Sequence, residues 1–472
     1  MTASDLITRL QAVVGEKAVT TNVTDMAPYL EERRGLYHGQ AAAIVRPAST
    51  AEVSAVMKLA YETGTVVVPQ GGNTGLVGGQ IPDESGEAII LNLSRMTTIR
   101  EVDAQNNTLS VDAGVTLADV QAAADGAGRF FPLSLASEGT CQIGGNLATN
   151  AGGTAVLHYG NARDLVLGLE IVLADGRIWD GMRSLRKDNT GYDLKQVFLG
   201  SEGTLGIITG AVLKLFPKPA SRATAFAAVP CPADAVSLLR QVEASCTGAI
   251  TSFELMPRAG IEMVLAHVPG ARDPLAEPAK WYVLIEATAG ATGARLSDEL
   301  EAALDRAMTD GLVSDAAVAQ SDTQSAELWQ LREAMSDAQR PEGGSIKHDV
   351  SVPVSRIALF IERALQAVHA EMPGIRPVPF GHIGDGNIHF NLSQPQGMDK
   401  DAFLARWTHF NSIVHGIALE LGGSISAEHG IGQLKRDEMA ALKSDVELDL
   451  MRSLKQVLDP KNILNPGKVI EI

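Results

Sequence analysis

The sequence of 472 residues has few cysteines and no excess of positive charge. Cys141, Cys231 and Cys246 form no CxxC pair and cannot all pair within one chain, which is typical of a reducing compartment rather than of secretion. The 39 lysines and arginines stand against 56 acidic residues, so the net charge is −17. This charge argues against nucleic acid and anionic membranes as main partners, because both would repel the chain.

Long apolar runs and targeting features are also missing. No run approaches the ~20 apolar residues of a membrane-spanning helix, so we expect no integral membrane segment. The first residues, MTASDLITRLQAVVGEKAV, lack the basic start and the apolar stretch of a signal peptide. They carry Asp5 and Glu16, which also makes them a poor mitochondrial presequence. We therefore expect a cytoplasmic protein.

The pattern of the first half predicts alternating strands and helices. AAAIVRP predicts a strand, TAEVSAVMKLAYETG a helix capped by Ser49 or Thr50, and TVVVP a second strand, which together make a βαβ unit. IILNLS predicts a third strand. Two hairpins are predicted, one turned at Asn106-Asn107 and one at Asp175-Gly176 with a type I′ turn.

The pattern changes after about Pro217. RATAFAAVP, KWYVLIEATA and SIKHDVSVP predict strands, whereas ADAVSLLRQVEAS and VSRIALFIERALQAVHAEM have the apolar spacing of amphipathic helices. A chain of this length is expected to form two or more domains. We predict an α+β protein whose second part is an antiparallel sheet covered by helices.

Three loops rich in glycine and small polar residues carry the first functional signal. They are VVVPQGGNTGLVGGQIP at 66–82, SLASEGTCQIGGNLATNAGG at 134–153 and GSEGTLGIITGAVLKL at 200–215. Glycine lets backbone N–H groups approach a phosphate closely, so such loops neutralise a pyrophosphate without lysine. A lone loop of this kind is more often a simple turn, and the first is not a GxGxxG fingerprint. Three together indicate one long ligand lying along a trough of backbone.

These loops, in this order, resemble the FAD-binding domain of the vanillyl-alcohol oxidase family, also called the PCMH-type FAD domain, over most of residues 40–218. The resemblance implies a pyrophosphate site at Gly71, Gly72, Asn73, Thr74 and Gly75, with Pro69 and Leu76 beside it. It implies a ribityl and phosphate region at Gly144, Gly145, Asn146, Thr149, Asn150 and Gly152, and an adenine side at Glu202, Gly206 and Ile208. It also implies further contacts from Glu138 and, near the flavin ring, from Asn465. Many members attach flavin through a histidine directly after the paired glycines of the first loop. Asn73 stands there in this chain, which implies non-covalent FAD.

Histidines and acids in the last third carry the second signal. GHIGDGNIHFN places His382 and His389 seven residues apart, which would put them on opposite faces of one straight strand. The glycines between them allow a turn that brings both imidazoles together. SAEHGIG adds Glu428 beside His429. Two histidines and one carboxylate match an open zinc site, although Mn, Fe and Co accept the same ligands.

The two motifs, with the closing DPKNILNPGK, resemble the C-terminal domain of FAD-linked D-lactate and D-2-hydroxyglutarate dehydrogenases. The resemblance implies that His382, His389 and Glu428 bind zinc and that His429 accepts a proton. Most histidines are surface or hydrogen-bonded residues, and we keep that interpretation for the others, which are His38, His158, His267, His348, His369, His409 and His415.

The implied chemistry is what oxidation of an alcohol needs. A metal bound to the α-hydroxyl and the carboxylate lowers the hydroxyl pKa and fixes the substrate. A neutral histidine within hydrogen-bond reach accepts the proton. The α-hydrogen is then transferred as a hydride to flavin N5. We therefore predict an FAD-dependent D-2-hydroxy acid dehydrogenase.

The segment LWQLREAMSDAQRPEGGSIKHDVSVP bears on which hydroxy acid is used. By charge pattern alone it is a solvated helix face with one strand lysine. The resemblance implies instead that Arg332, Ser336, Lys347 and Asn391 contact substrate together with His429, with Ser336 standing where threonine is expected. Two cations favour a dicarboxylate, because lactate would leave one of them desolvated without a partner. We expect D-2-hydroxyglutarate, with D-lactate, glycolate and D-malate as alternatives.

Two other classes of protein share parts of this pattern. Alkylglycerone-phosphate synthases have the same flavin fold without net oxidation of the substrate, but they need an apolar channel and membrane contact, of which this acidic chain gives no sign. A non-catalytic flavoprotein would leave the grouped histidines and glutamate without a role.

The resemblance also implies a domain arrangement. We predict an FAD domain over residues 1–218, a substrate domain with part of the metal site over 219–422, and a C-terminal segment over 423–472 that returns to the FAD domain. The family further implies a homodimer and an electron acceptor such as electron-transfer flavoprotein, a quinone or a cytochrome.

Overall fold

The predicted βαβ unit forms near the N-terminus. The Ser49 hydroxyl accepts a hydrogen bond from a backbone N–H of the first turn and caps the helix Thr50–Thr63. The strands Ala43–Val45 and Val67–Gln70 precede and follow this helix, and both pair in parallel with Ile89–Asn92, which lies between them. The predicted unit is confirmed, with the third predicted strand inserted between the first two.

The computed structural model describes residues 2–246, 248–290 and 295–472. The chain divides into two compact units. The first unit consists of Met1–Gly153, Gly160–Lys218 and Glu428–Ile472, and the second of Thr154–Tyr159 and Pro219–Ala427. The roles predicted for residues 1–218, 219–422 and 423–472 stay predictions, because compactness does not assign a role to a unit.

The first unit contains a four-stranded sheet and a five-stranded antiparallel sheet. Its strands are Val19–Thr20, Ala43–Val45, Val67–Gln70, Ile89–Asn92, Ile99–Asp103, Thr108–Asp112, Arg129–Phe130, Val166–Val172, Ile178–Gly181, Ile207–Lys214 and Phe216–Pro217. Its helices are Ala3–Val14, Val23–Leu30, Thr50–Thr63, Leu117–Gly126, Ile143–Ala148, Lys195–Phe198, Arg436–Leu442 and Asp445–Leu458, with 3-10 turns at Glu16–Ala18 and Ala162–Leu165.

Both predicted hairpins are present in the five-stranded sheet. The predicted turn type of the second hairpin is wrong. A type I′ turn needs a positive φ at both central residues, and of the pair Asp175-Gly176 only Gly176 has one (φ 85°). The connection is longer, because the Leu173 N–H donates to the Arg177 carbonyl and the Asp175 carboxylate accepts the Arg177 N–H.

A buried ion pair holds the C-terminal segment within the first unit. Lys455 donates to the Asp459 carboxylate at 2.5 Å and to the carbonyls of Thr204 and Leu464 at 3.0 and 2.7 Å. Both charged side chains are almost fully buried, and the second carboxylate oxygen of Asp459 accepts the Ile463 N–H. A buried charge pair is stable only when its remaining donors and acceptors are satisfied, and this one is anchored at several backbone atoms.

The second unit is an eight-stranded antiparallel sheet with helices on both faces. Its strands are Ser221–Val229, Ile250–Pro257, Trp281–Ala289, Asp315–Val318, Ser345–Ile346, Asp349–Ser351, Arg376–His382 and Asn387–Ser393. Its helices are Val156–Tyr159, Pro232–Ser245, Arg258–His267, Leu296–Thr309, Asp322–Glu333, Ile357–Glu371, Lys400–Leu404 and Trp407–Glu420, with a 3-10 turn at Val354–Arg356.

Alternation along one strand shows why the sheet is covered on both sides. Ala225 and Ala227 belong to one hydrophobic cluster, whereas Phe226 and Ala228 belong to another. The predicted α+β fold is confirmed. The run SIKHDVSVP, predicted as one strand, forms two short strands separated at Lys347 and the residue after it.

Within the described ranges, none of the helices combines the length and the apolar composition needed to cross a membrane.

Candidate active site

One cavity of the first unit is lined by all three glycine-rich loops. Of the predicted cofactor residues, it is lined by Pro69, Gly71, Gly72, Asn73, Thr74, Gly75, Gly144, Gly145, Asn146, Thr149, Glu202, Gly206 and Ile208. The ionisable side chains among its described lining residues are Glu202 and His429, so backbone and amide groups supply its other polar atoms. A Cβ built at Gly145 would meet no atom within 4 Å, so the backbone there borders open space. These features fit a pyrophosphate-bearing cofactor bound by backbone N–H groups.

Asn73 holds the first loop in place. Its side-chain amide donates to the carbonyls of Pro28 and Glu31 at 3.0 and 2.9 Å, and its amide oxygen accepts from Gln80 at 3.1 Å. Its backbone is left-handed (φ 55°), a conformation that asparagine tolerates better than most residues. The position at which the resemblance would place a flavin-linked histidine is therefore occupied here by a residue that shapes the loop.

Five predicted cofactor residues do not line this cavity, namely Leu76, Glu138, Asn150, Gly152 and Asn465. The Leu76 carbonyl accepts a hydrogen bond from Arg34, and the Glu138 carboxylate accepts one from Gln121. The Asn150 amide oxygen accepts the Arg163 N–H, and a Cβ at Gly152 would lie 2.6 Å from the Glu428 carboxylate. Asn465 donates to the carbonyls of Gly79 and Glu202 at 2.9 Å each, so it supports cavity residues from behind.

Glu202 connects the third loop to the segment that carries His429. Its carboxylate accepts the N–H groups of Ile431 and Gly432 at 2.7 and 2.8 Å. A Cβ at Gly430 would lie 2.7 Å from the same carboxylate, and φ there is 85°, so the close approach requires glycine. Burial raises the pKa of Glu202 to about 7, although both N–H donors act in the opposite direction.

In the second unit, one hairpin brings His382 and His389 together. The strands Arg376–His382 and Asn387–Ser393 are antiparallel, and His389 pairs with Phe380. Since side chains two residues apart share a face of a strand, His382 lies on the same face as Phe380 and therefore as His389. The two imidazole centroids are 5.6 Å apart. The turn predicted from the intervening glycines is present.

A carboxylate that we did not predict lies between two predicted site residues. Glu254, in the strand Ile250–Pro257, pairs with His382 across the sheet. One of its oxygens is 2.7 Å from His382 Nδ1, and the other accepts from Arg332 Nε at 2.7 Å. Burial raises the pKa of Glu254, but the interactions with His382 and Arg332 outweigh it and hold this pKa at about 2.

Arg332 and Lys347 lie next to the same hairpin. Arg332 lies in the last turn of the helix Asp322–Glu333, is 7% exposed, and stacks its guanidinium over the Phe380 ring at 4.9 Å. Lys347 Nζ donates to the Ser336 hydroxyl at 2.9 Å.

The backbone register explains the position of Lys347. It follows Ile346, which pairs with Leu392, so Lys347 lies beside the strand that carries His389 and the buried Asn391.

Asp349 is a second acid that we did not predict. Its carboxylate lies 3.9 Å from His389 Nδ1 and accepts a hydrogen bond from the Asn387 amide at 2.9 Å. The backbone carbonyl of Asp349 accepts a hydrogen bond from the N–H of Ala427, which is the residue directly before Glu428. Glu428 and His429 belong to the first unit. A carboxylate oxygen of Glu428 and a ring nitrogen of His429, both potential metal ligands, lie within 4.8 Å of each other.

Three of the remaining histidines are surface or hydrogen-bonded residues, as expected. His267 lies 2.6 Å from Glu342, and His409 lies 2.9 Å from Glu371. The buried His348 is 2.7 Å from the Phe390 carbonyl through Nδ1.

A sequence signal for one of the two missed acids, Glu254, exists but is weak. Glu254 stands inside ITSFELMP, an otherwise apolar or small-residue strand that is buried throughout. Charged residues are almost never fully buried unless they are paired, so an acid in such a strand indicates a partner without naming it.

The fold and the cavity define an FAD-dependent oxidoreductase of the PCMH-type. The protein-family model for the FAD binding domain matches residues 41–181. The protein-family model for the C-terminal domain of FAD linked oxidases matches residues 218–469. The chain belongs to the family of FAD-linked D-2-hydroxy acid dehydrogenases.

Two relatives show the family at nearly full length. A probable mitochondrial D-2-hydroxyglutarate dehydrogenase of Oryza sativa subsp. indica is 38% identical, and the match covers 99% of this chain and 82% of the relative. A D-2-hydroxyglutarate dehydrogenase of Xanthomonas citri pv. viticola is 37% identical over 98% of this chain and 97% of the relative. A solved alkyldihydroxyacetonephosphate synthase is similar in fold alone, with a TM-score of 0.75, 19% identity, and coverage of 98% of this chain and 86% of its own.

The charge state of Glu202 gives a pH prediction. Because its pKa in the folded protein lies above the ordinary 4.5, the fold favours the protonated form. The stability contributed by that form is fully present below about pH 4.5 and is lost as the pH rises through about 7, a loss on the order of 3 kcal/mol. Glu202→Gln cannot titrate. Between about pH 5 and pH 8, the melting temperature of the FAD-free wild type should therefore fall relative to that of the variant.

The matched control is Glu138→Gln, which changes a half-buried carboxylate of the same unit outside the cavity. Its melting temperature should follow the wild type at every pH. If the difference in melting temperature between the wild type and Glu202→Gln stayed constant over this pH range, the raised pKa of Glu202 would be contradicted.

Proposed function

We propose that the protein oxidises D-2-hydroxyglutarate to 2-oxoglutarate with non-covalently bound FAD as the hydride acceptor. The observation that carries this proposal is the set of side chains on one hairpin and its neighbours in the second unit. His382, His389 and Asn391 lie on that hairpin, and Arg332 and Lys347 flank it. The two relatives described above are named as D-2-hydroxyglutarate dehydrogenases, one of them as a probable one, which supports the choice of hydroxy acid.

The two cations support a dicarboxylate substrate. The bond from Arg332 to Glu254 uses Nε, and the other donors of the guanidinium are on Nη1 and Nη2. Lys347 donates to Ser336, whose hydroxyl can in turn donate to a bound carboxylate. We propose that Arg332, Ser336, Lys347 and Asn391 bind the carboxylates of the substrate. D-lactate, with one carboxylate, would form fewer charge-assisted hydrogen bonds with this set than a dicarboxylate would.

Imidazole and carboxylate groups are the types of donor that divalent transition metals bind. We propose that His382, His389 and Glu428 hold zinc, or another divalent transition metal, with Nδ1 of His382 engaged by Glu254 and its Nε2 as the ligand atom. When bound, the metal supplies Lewis-acid activation of the α-hydroxyl group.

The cavity of the first unit is proposed to hold FAD through those of the predicted cofactor residues that line it. FAD, when bound, accepts the hydride at N5. His429 lines the same cavity, and Glu202 holds the backbone two and three residues beyond it. We propose that a neutral His429 imidazole takes the hydroxyl proton of the substrate, while the substrate is held through its carboxylates.

Reoxidation of the flavin requires an acceptor. We propose electron-transfer flavoprotein, a quinone or a cytochrome for this role, and a cytoplasmic homodimer as the working form. The alkylglycerone-phosphate synthase alternative is supported by similarity of fold alone.

Replacing His429 tests the proposed base. In His429→Ala, the hydroxyl proton has no side-chain acceptor, so flavin reduction by D-2-hydroxyglutarate should slow by about 10²- to 10⁴-fold. The measurement is anaerobic stopped-flow absorbance of the flavin band. His409→Ala, which changes a half-exposed histidine beside Glu371, should reduce its flavin at the wild-type rate. Flavin reduction at the wild-type rate in His429→Ala would refute the role of His429 as the base.

A substrate panel tests the dicarboxylate preference. The kcat/KM for D-2-hydroxyglutarate should exceed those for D-malate, D-lactate and glycolate. Lys347→Met removes one charge-assisted contact, so kcat/KM for D-2-hydroxyglutarate should fall about 10- to 100-fold, with little change for D-lactate.

Lys443→Met serves as the control for this panel, because Lys443 forms an exposed pair with Glu447. It should leave all four substrates unaffected. A wild-type kcat/KM that is far higher for D-lactate than for D-2-hydroxyglutarate would overturn the choice of substrate.

A further inference from the structure

Glu254 is shared by two groups with different proposed tasks. Its side chain is 1% exposed, and each carboxylate oxygen has its own partner at 2.7 Å, His382 Nδ1 on one side and Arg332 Nε on the other. It lies directly opposite His382 in the register of two central strands. The position of the carboxylate is therefore set by the sheet and not by a mobile loop.

The contact with His382 fixes which ring nitrogen is available. An ionised carboxylate only accepts hydrogen bonds, so the Nδ1 atom facing it carries the proton. The lone pair of a neutral imidazole is then on Nε2, the atom that can bind a metal. The carboxylate also limits rotation of the ring, and such outer contacts commonly change metal affinity by 10- to 100-fold.

The contact with Arg332 fixes the plane of the guanidinium. Nε donates to Glu254, and the group stacks on Phe380 at 4.9 Å. Phe380 in turn lies 5.2 Å from the His389 ring. One buried carboxylate and one aromatic ring thus hold Arg332, His382 and His389 in a single arrangement.

We propose that Glu254 is a positioning residue that orients the metal-binding face of His382 and the substrate-binding face of Arg332 at the same time. This inference rests on the proposed function, and it adds a determinant of metal affinity and of substrate affinity that neither motif contains. Loss of Glu254 is expected to weaken both affinities, whereas loss of a merely neutralising charge would affect Arg332 alone.

The test begins with Glu254→Gln, in which the amide oxygen can accept from only one of the two partners. Zinc affinity, measured by competition with a chromophoric chelator, should fall 10- to 100-fold. KM for D-2-hydroxyglutarate should rise, while kcat at saturating zinc and substrate should stay within a few-fold of the wild type. Wild-type zinc affinity in Glu254→Gln overturns the proposal.

Glu286→Gln is the matched control. Glu286 lies on the adjacent strand of the same sheet, is half-buried, and accepts a hydrogen bond from Trp329 at 2.8 Å. It makes the same carboxylate-to-amide change away from the histidines, so zinc affinity and KM should both be unchanged.

A second pair of variants covers the case in which Glu254→Gln fails to fold because the Arg332 charge is left buried. Arg332→Met should keep nearly normal zinc affinity, because Glu254 still holds His382. The double variant of Glu254→Gln and Arg332→Met removes both charges and should still bind zinc 10- to 100-fold more weakly than Arg332→Met. Equal zinc affinities in these two proteins would show that the carboxylate only neutralises Arg332.

The outcomes distinguish failure of the proposed function from failure of the proposed role of Glu254. A wild-type protein that binds zinc but does not oxidise D-2-hydroxyglutarate refutes the proposed function, and the zinc affinities then decide the role of Glu254. A wild-type protein that binds no zinc refutes the metal site and this inference together.

Discussion

The pairing of the strand Arg376–His382 with both of its neighbours is the constraint on which the candidate site depends. On one side it sets His382 opposite Glu254, and on the other it sets Phe380 opposite His389. A slip of one residue would move every side chain of the strand to the other face of the sheet. Both faces are covered by hydrophobic clusters, so such a slip would bury the histidines in apolar surroundings.

The two units contribute different kinds of chemistry. The cavity of the first unit is lined mainly by backbone and amide groups, and its loops are held by contacts such as those of Asn73 and Asn465. The second unit supplies charged side chains that are buried in pairs. Arg332 is tolerated there because Glu254 neutralises it, in the same way that Asp459 neutralises Lys455 in the first unit. The net charge of −17 is therefore compatible with buried basic side chains, because each of these two is paired with a carboxylate close by.

The sequence predicted those parts of the structure whose causes are local. Helix caps, strand runs and glycine-rich loops depend on neighbouring residues, so the βαβ unit, both hairpins and the α+β class could be predicted. The turn at Asp175-Gly176 was mistyped because one positive φ at glycine is compatible with more than one hairpin connection.

The role of Glu254 could not be predicted, because it depends on a partner 128 residues away. Likewise, Leu76 and Glu138 stand near motif residues in the sequence, but their contacts turn away from the cavity toward Arg34 and Gln121. Nearness along the chain is a weak guide to which side chain of a loop faces a ligand. Two residues of the first loop have clearer local causes, because Asn73 adopts a positive φ that few residues tolerate and a Cβ at Gly72 would collide with the Thr140 carbonyl.

The central claim is that the histidine hairpin holds a metal ion on which oxidation of the substrate depends. Its most direct test is anaerobic bleaching of the flavin by D-2-hydroxyglutarate in protein stripped with a chelator, before and after zinc is restored. We expect the bleaching rate to fall at least about 100-fold on stripping and to recover with zinc. Bleaching of metal-free protein at the full rate would contradict the account.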